Sequence, residues 1–232
     1  MLKHPHLFFD LDHTLWDFET NAKDTMIQLY ETFNLKTKGV HSFDDFFERY
    51  IFHNDKLWKR YTQGFMKQEE LRWKRMWLAL LDFKIADEPL ANQLSVAYLR
   101  ELPNRKKLFD YSFEILEYLK AKGYHLHLIT NGFEEVQHRK IFHSGLSPYF
   151  TKVITSQGCN SVKPMPGIFD YALNETGAVK EQAIMIGDNL DTDIQGGNNA
   201  GWDTVFVNYL SEEKAVSATY TVHHLKDLEN IF

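Results

Sequence analysis

The sequence of 232 residues has one cysteine, few prolines and no long apolar run, and each shortage excludes something. Cys159 alone cannot close an internal disulfide, so nothing points to a stapled fold from an oxidising compartment. No Gly/Ser linker, low-complexity stretch or internal repeat appears, which removes arrays and tethered modules. The longest apolar run, Met76 to Leu81, is far shorter than the roughly 20 residues a bilayer helix needs. Lys3, His4, His6 and Asp10 interrupt the N-terminus, so it does not read as a signal peptide. Positive charge is not in excess: 26 Lys and Arg face 32 Asp and Glu, a formal net charge of -6. That balance argues against a nucleic-acid polymer or an anionic membrane as partner. The expectation is a cytoplasmic protein with a small-molecule partner, present as a monomer or weak homodimer.

With 44% hydrophobic and 25% charged residues, the composition is that of an ordinary globular protein, long enough for a sizeable core. The chain changes character twice. Leu7 to Phe9 form a short apolar run that stops at Asp10, Asp12 and Thr14, as a buried parallel strand does on entering a polar site. From about 17 to 102 the spacing is helical. Ala22, Met26, Leu29, Tyr30 and Phe33 recur at three- and four-residue steps, and Phe43 to Tyr61 repeat the pattern behind a candidate N-cap, Ser42. Leucines at 71, 78 and 81, then Leu90, Leu94 and Tyr98, indicate two more helices. Trp58, Trp73, Trp77 and, at the edge of the segment, Trp16 read as helix-packing residues, with lining of a substrate pocket as the other reading. Beyond Leu102, strands and helices alternate: apolar strands at 125–129, 153–154, 183–186, 204–207 and 220–222 separate helices that end near Gly123, Gly145, Gly177 and Gly201. Such alternation predicts a Rossmann-like, doubly wound parallel α/β sheet. The expected core is 1–16 with 103–232, and the segment 17–102 is an all-helical insertion.

Four polar segments follow strand-like runs: Asp10 to Thr14, Thr130-Asn131-Gly132, Lys163-Pro164, and Gly187 to Asp193. In an open parallel sheet the carboxyl ends of the strands share one crevice, so the four should meet. Crowded carboxylates repel each other unless a cation neutralises them. Oxygen donors without a His/Cys cluster point to Mg2+ rather than zinc. Lys163, the Thr130 hydroxyl and backbone N–H groups of the Asn131-Gly132 turn can hold a dianionic phosphate. Residues two apart at a strand end point the same way. Asp10 is therefore placed as nucleophile on phosphorus, and Asp12 as acid to the leaving oxygen and then base to water.

The strings FFDLDHTLWD, ITNG, SVKPMPGIF and IMIGDNLDTDIQGG together resemble the four motifs of the haloacid dehalogenase-like (HAD) superfamily, in order and across essentially the whole chain. The resemblance implies Asp10 as nucleophile, Asp12 as acid/base and, through its backbone carbonyl, metal ligand. It implies Thr130 as phosphate-binding hydroxyl, Lys163 as the motif-three lysine, Asp188 as direct metal ligand and Asp193 as supporting acid, with Thr14 also in support. The helical insertion resembles a C1 cap of subfamily I, expected to close over the site and exclude water. The ITNGF string, the segment from Gly187 to Gly197, the cap length and the ending His224-Leu225-Lys226-Asp227-Leu228 are similar to the bacterial house-cleaning pyrimidine 5′-nucleotidases. N-acylneuraminate-9-phosphate phosphatases share a similar fourth motif, which keeps a sugar phosphate open as the alternative substrate. Two departures stand out: His13 fills a slot where Gly, Glu or Asp is common, and Met165 one where Asp or Asn is common.

Some positions carry two readings. Asn131 is a turn residue or a phosphate contact, Asp191 a helix cap or a site residue, and His13 a bystander or a contact to cap or leaving group. The pairs His125/His127 and His223/His224 read as structural or surface residues, and Arg105-Lys106-Lys107 as a solvated linker. A dehalogenase on this fold needs neither a metal nor an acid two residues past the nucleophile, so Asp12 and Asp188 argue against it. No specific signal supports a phosphomutase.

Overall fold

The computed structural model describes residues 2–210 and 217–232. Among them, six strands form one parallel sheet: β1 (His6–Phe9), β2 (His125–Thr130), β3 (Lys152–Thr155), β4 (Ala183–Gly187), β5 (Asp203–Val207) and β6 (Tyr220–Val222). Their order is β3-β2-β1-β4-β5-β6. The runs Leu7 to Phe9 and Ala183 to Ile186 are fully buried, as strands covered on both faces must be. The chain winds outward from β1 through β2 to β3, then returns to β4 on the other side of β1. That reversal opens a crevice at the carboxyl ends of β1, β2 and β4. The doubly wound sheet predicted from the alternation is present.

The α-helices are α1 (Phe18–Thr32), α2 (Phe43–Thr62), α3 (Gln68–Asp82), α4 (Glu88–Glu101), α5 (Ser112–Ala121), α6 (Glu134–His143), α7 (Pro166–Thr176) and α8 (Gln195–Ala200). The chain divides into two compact units, Met1–Phe18 with Lys106–Phe232, and Glu19–Arg105. No helix among the described residues is long and apolar enough to cross a membrane.

In the helical unit, Ser42 caps α2 by accepting from the Asp45 N–H at 3.2 Å. Buried Tyr50 and Tyr98 pack with ring centroids 5.4 Å apart. Arg75, also buried, donates to Asn54 Oδ1 at 3.0 Å and lies 5.3 Å over the Tyr98 ring, so an aromatic face and an amide share its charge. The tryptophans of α2 and α3 stand only half-buried and pair along their own helices: Trp73 with Trp77 at 6.2 Å, Trp58 with Tyr61 at 5.6 Å. Arg105 is not the solvated linker residue expected. Its guanidinium donates to Asp24 O at 3.1 Å, Gln28 Oε1 at 2.6 Å and Thr25 Oγ1 at 3.2 Å, so its fork is held by α1.

At the opposite end of the sheet from the crevice, β1 and β2 align His6 with His125 and Phe8 with His127. His127 is 2% exposed, stacked on Phe8 at 4.7 Å and on His6 at 5.4 Å. Burial, reinforced by the neighbouring His6 and His125, pushes its pKa from 6.5 down to about 3. The unfolded chain therefore takes up a proton at His127 near pH 6.5 that the folded chain refuses. Stability from this group is complete above that pH and is lost as the pH falls towards 3, by about 2 kcal/mol at pH 5. Urea unfolding at neutral pH and at about pH 5 should show this slope in the native chain and a flatter one in His127→Gln. Equal slopes would contradict a buried neutral imidazole.

Candidate active site

Asp10 leaves β1 at the crevice and stays in register with β4, its N–H donating to Ile186 O at 2.8 Å. Its carboxylate meets Lys163, whose Nζ lies 2.5 Å from Asp10 Oδ1, 2.7 Å from Asp193 Oδ1 and 2.8 Å from Ile129 O at the end of β2. Three acceptors thus match the three ammonium protons of a side chain that is 1% exposed. Thr14 donates to Asp188 Oδ1 at 2.8 Å. Asp10, Asp188 and Asp193 each offer a carboxylate oxygen within 4.8 Å of the others. Residues spread from 10 to 193 therefore meet because β1, β2 and β4 are sheet neighbours.

The loops are built to hold these groups still. The Asn131 side chain grips the Lys163 backbone at both ends, donating to its carbonyl at 2.9 Å and accepting from its N–H at 2.8 Å. The Asn131 side chain thus has a role beyond the two expected for the residue. It anchors the lysine-bearing loop, which contains a cis Lys163–Pro164 bond, to the end of β2. After β4, Asn189 caps the turn Leu190–Ile194 by accepting from the N–H groups of Asp191 and Thr192, each at 3.0 Å. Asp191, expected as a helix cap or a site residue, is exposed, and its N–H is one of the two that Asn189 caps. Asp193 Oδ2 accepts from the Asn189 N–H at 3.1 Å, which folds the turn back onto β4. A Cβ at Gly187 would collide with the Asp193 carboxylate, so only glycine lets the acid lie against the strand end.

The chain matches the haloacid dehalogenase-like hydrolase family over residues 5–201. It is a haloacid dehalogenase-like hydrolase. The pyrimidine 5′-nucleotidase PynA of Streptococcus pneumoniae is 32% identical over 96% of this chain and 92% of its own. The pyrimidine 5′-nucleotidase YjjG of Escherichia coli is 27% identical over 99% of this chain and 98% of its own. Among solved structures, the YfnB protein of Bacillus subtilis, crystallised bound to magnesium, superposes with a TM-score of 0.90 at 27% identity, covering 99% of both chains.

In this hydrolase the remaining motif residues divide into those turned inward and those tied elsewhere. Thr130 is buried, and its Oγ1 accepts from the Gly132 N–H at 3.1 Å and from Gln137 Nε2 at 2.6 Å. Both are bonds it accepts, so its own proton remains to donate. The Gly132 N–H, by contrast, is turned to Thr130 rather than outward. Asp12 does not join the other carboxylates. Its Oδ1 accepts from Lys140 Nζ at 2.6 Å and its Oδ2 from Gln137 Nε2 at 3.0 Å. His13 adopts a φ of 64°, in the left-handed region that glycine enters without strain. Tyr209 donates its hydroxyl to Thr14 O at 2.7 Å and stacks on Phe109 at 4.2 Å, fixing the loop after β1 from the far end of the chain.

Sequence reasoning missed Gln137, Lys140 and Tyr209. A signal existed for the first two. They fall on the buried face of α6 with Ile141, where apolar side chains are the rule.

The electrostatics of the hydrolase reflect three acids around one base. Burial, aided by Asp193 and Asp188 and opposed by Lys163, raises the Asp10 pKa well above the usual carboxylate range. Burial and Asp193 push Asp188 up to about 6, against the pull of nearby His13 and the Thr14 hydrogen bond. Burial works against the Lys163 charge, yet Asp10 and Asp193 outweigh it and hold its pKa above the ordinary value. The cluster is therefore short of positive charge, and its donors are all oxygens, which fits a hard divalent cation. Removing the one base should be costly. Lys163→Met is expected to lose about 3–5 kcal/mol in denaturant unfolding, since Asp10 and Asp193 would be left uncompensated. Lys163→Met combined with Asp193→Asn should recover part of that loss. A single variant as stable as the native chain would refute the compensation.

Proposed function

We propose that this hydrolase is a Mg2+-dependent phosphatase that cleaves a small phosphomonoester through an aspartyl-phosphate, and that its substrate is a pyrimidine nucleoside 5′-monophosphate. The carrying observation is the buried Asp10 carboxylate, held 2.5 Å from Lys163 beside Asp188 and Asp193, with a second acid two residues on.

In this reading Asp10 attacks phosphorus, and the bond from phosphorus to the ester oxygen breaks. Asp12 delivers a proton to that oxygen, so the leaving group departs as an alcohol. The Asp12 carboxylate then takes a proton from water. The resulting hydroxide attacks phosphorus, frees inorganic phosphate and restores Asp10. Lys163 neutralises charge at Asp10 and at the group transferred to it, while the Thr130 hydroxyl donates to a phosphoryl oxygen. Asp10, Asp188 and the Asp12 backbone carbonyl would hold Mg2+, with Thr14 and Asp193 steadying Asp188 and Lys163. A bound Mg2+ supplies further neutralisation of the phosphoryl charge.

The substrate assignment is supported by the two relatives named as pyrimidine 5′-nucleotidases, which span nearly the whole chain. The segment 17–102 is assigned, in this reading, the role of a C1 cap that selects the ester. A screen of nucleoside monophosphates, sugar phosphates, N-acylneuraminate 9-phosphate and glyceraldehyde 3-phosphate, each with Mg2+ and with a chelator, tests it. Uridine and cytidine 5′-monophosphates should lead the panel, and chelation should stop turnover. Asp10→Asn should abolish phosphate release from every ester. Undiminished release in that variant would end the mechanism, and a preference for another ester would end the substrate assignment alone.

A further inference from the structure

We infer that Gln137 and Lys140 are positioning residues that hold the Asp12 carboxylate in place for proton transfer. The inference rests on the reading of Asp12 as acid/base. It concerns two residues of α6 that none of the four motifs contains.

Three residues apart, Gln137 and Lys140 share one face of α6. Both are buried, at 0% and 2% exposure. An amide and an ammonium in the interior are unfavourable unless strong partners meet them. Here the partner is one carboxylate gripped at both oxygens: Lys140 at Asp12 Oδ1, 2.6 Å, and Gln137 at Asp12 Oδ2, 3.0 Å. A single bond would leave the carboxylate plane free to turn, whereas two from one rigid helix fix it. In its base form the Asp12 carboxylate only accepts, so the Gln137 amide presents its NH2 group to it. The same Nε2 reaches Thr130 Oγ1 at 2.6 Å, which couples the acid/base to the hydroxyl assigned to phosphate.

Two further features secure the arrangement. The Lys140 ammonium lies 4.3 Å from the centroid of the buried Trp16 ring and 5.6 Å from that of Phe18, so aromatic faces hold it where it meets Asp12. A Cβ at Gly132 would collide with the Gln137 side chain, so the glycine of the second motif makes room for the amide.

A buried ion pair can be merely structural, and its loss would then harm every substrate alike. Positioning of an acid makes a different demand: it matters when the leaving oxygen needs a proton and little when it does not. We therefore expect Lys140→Met and Gln137→Leu to lower kcat/KM for uridine 5′-monophosphate, or the best alkyl phosphate of the panel, by about 10–100-fold. For p-nitrophenyl phosphate the leaving group departs unprotonated, and kcat/KM reports transfer to Asp10 and not the later base step. Its fall should stay under about threefold in Lys140→Met, and below the alkyl loss in Gln137→Leu, which also frees Thr130. Lys140→Arg, which keeps a cation, should recover part of the loss. Asp12→Asn should show the same bias more strongly. Equal losses on both esters, or none, would overturn the positioning role. Alkyl-phosphate turnover that survives Asp12→Asn would instead overturn the reading of Asp12 itself. Should Lys140→Met fail to fold, Lys140→Gln, which removes the charge and keeps a polar group, reads the same ratio.

Discussion

A lysine ammonium with almost no contact with solvent sits between Asp10 and Asp193 and against the Ile129 carbonyl near the end of β2. Neither the charges nor their partners can be buried separately at tolerable cost, so the strand ends that carry them must arrive together. Much of the core unit is explained by that requirement. β1 delivers Asp10, β2 delivers the Ile129 carbonyl, and β4 delivers Asp188 and the turn bearing Asp193. The three strands are adjacent because the winding direction reverses at β1.

The loops serve the same end through backbone geometry. Asn131 pairs with the Lys163 backbone as a strand neighbour would, holding a loop where no strand exists. Asn189 supplies the cap that lets the chain turn directly after Asp188. Gly187 leaves out the one carbon that would displace Asp193. Each device is small, and each holds a charged group that would otherwise be mobile. Pre-set charge of this kind is what transfer of a highly charged group needs, since little reorganisation is then left to the reaction itself.

Asp12 is treated differently from its neighbours. Although two residues from Asp10, it belongs to a second electrostatic cell, made by α6 rather than by the strand ends. A cluster of carboxylates short of positive charge favours a metal, whereas the Asp12 carboxylate is already met by a lysine and an amide. The separation gives two acids of one short motif different environments, the condition for different roles.

Much of this was legible in the sequence. Apolar runs ending in Asp10 and Asp188 marked buried strands that enter a polar site, and the alternation beyond Leu102 determined a doubly wound sheet. Helical periodicity marked the insertion, and Ser42 its cap. Other features depended on contacts that no local pattern encodes. Asn189 and Asp191 are both good caps on paper, and only the turn that Asp193 imposes selects Asn189. Arg105 looked solvated because its acceptors are some 80 residues away on α1. Gln137 and Lys140 stood out only as polar residues on the apolar face of α6, and their partner Asp12, 125 and 128 positions earlier, is brought to them by the fold. Periodicity reports which residues avoid water. Which buried polar group meets which partner is decided only when the sheet closes those distances, because a hydrogen bond or ion pair depends on ångströms and not on spacing along the chain.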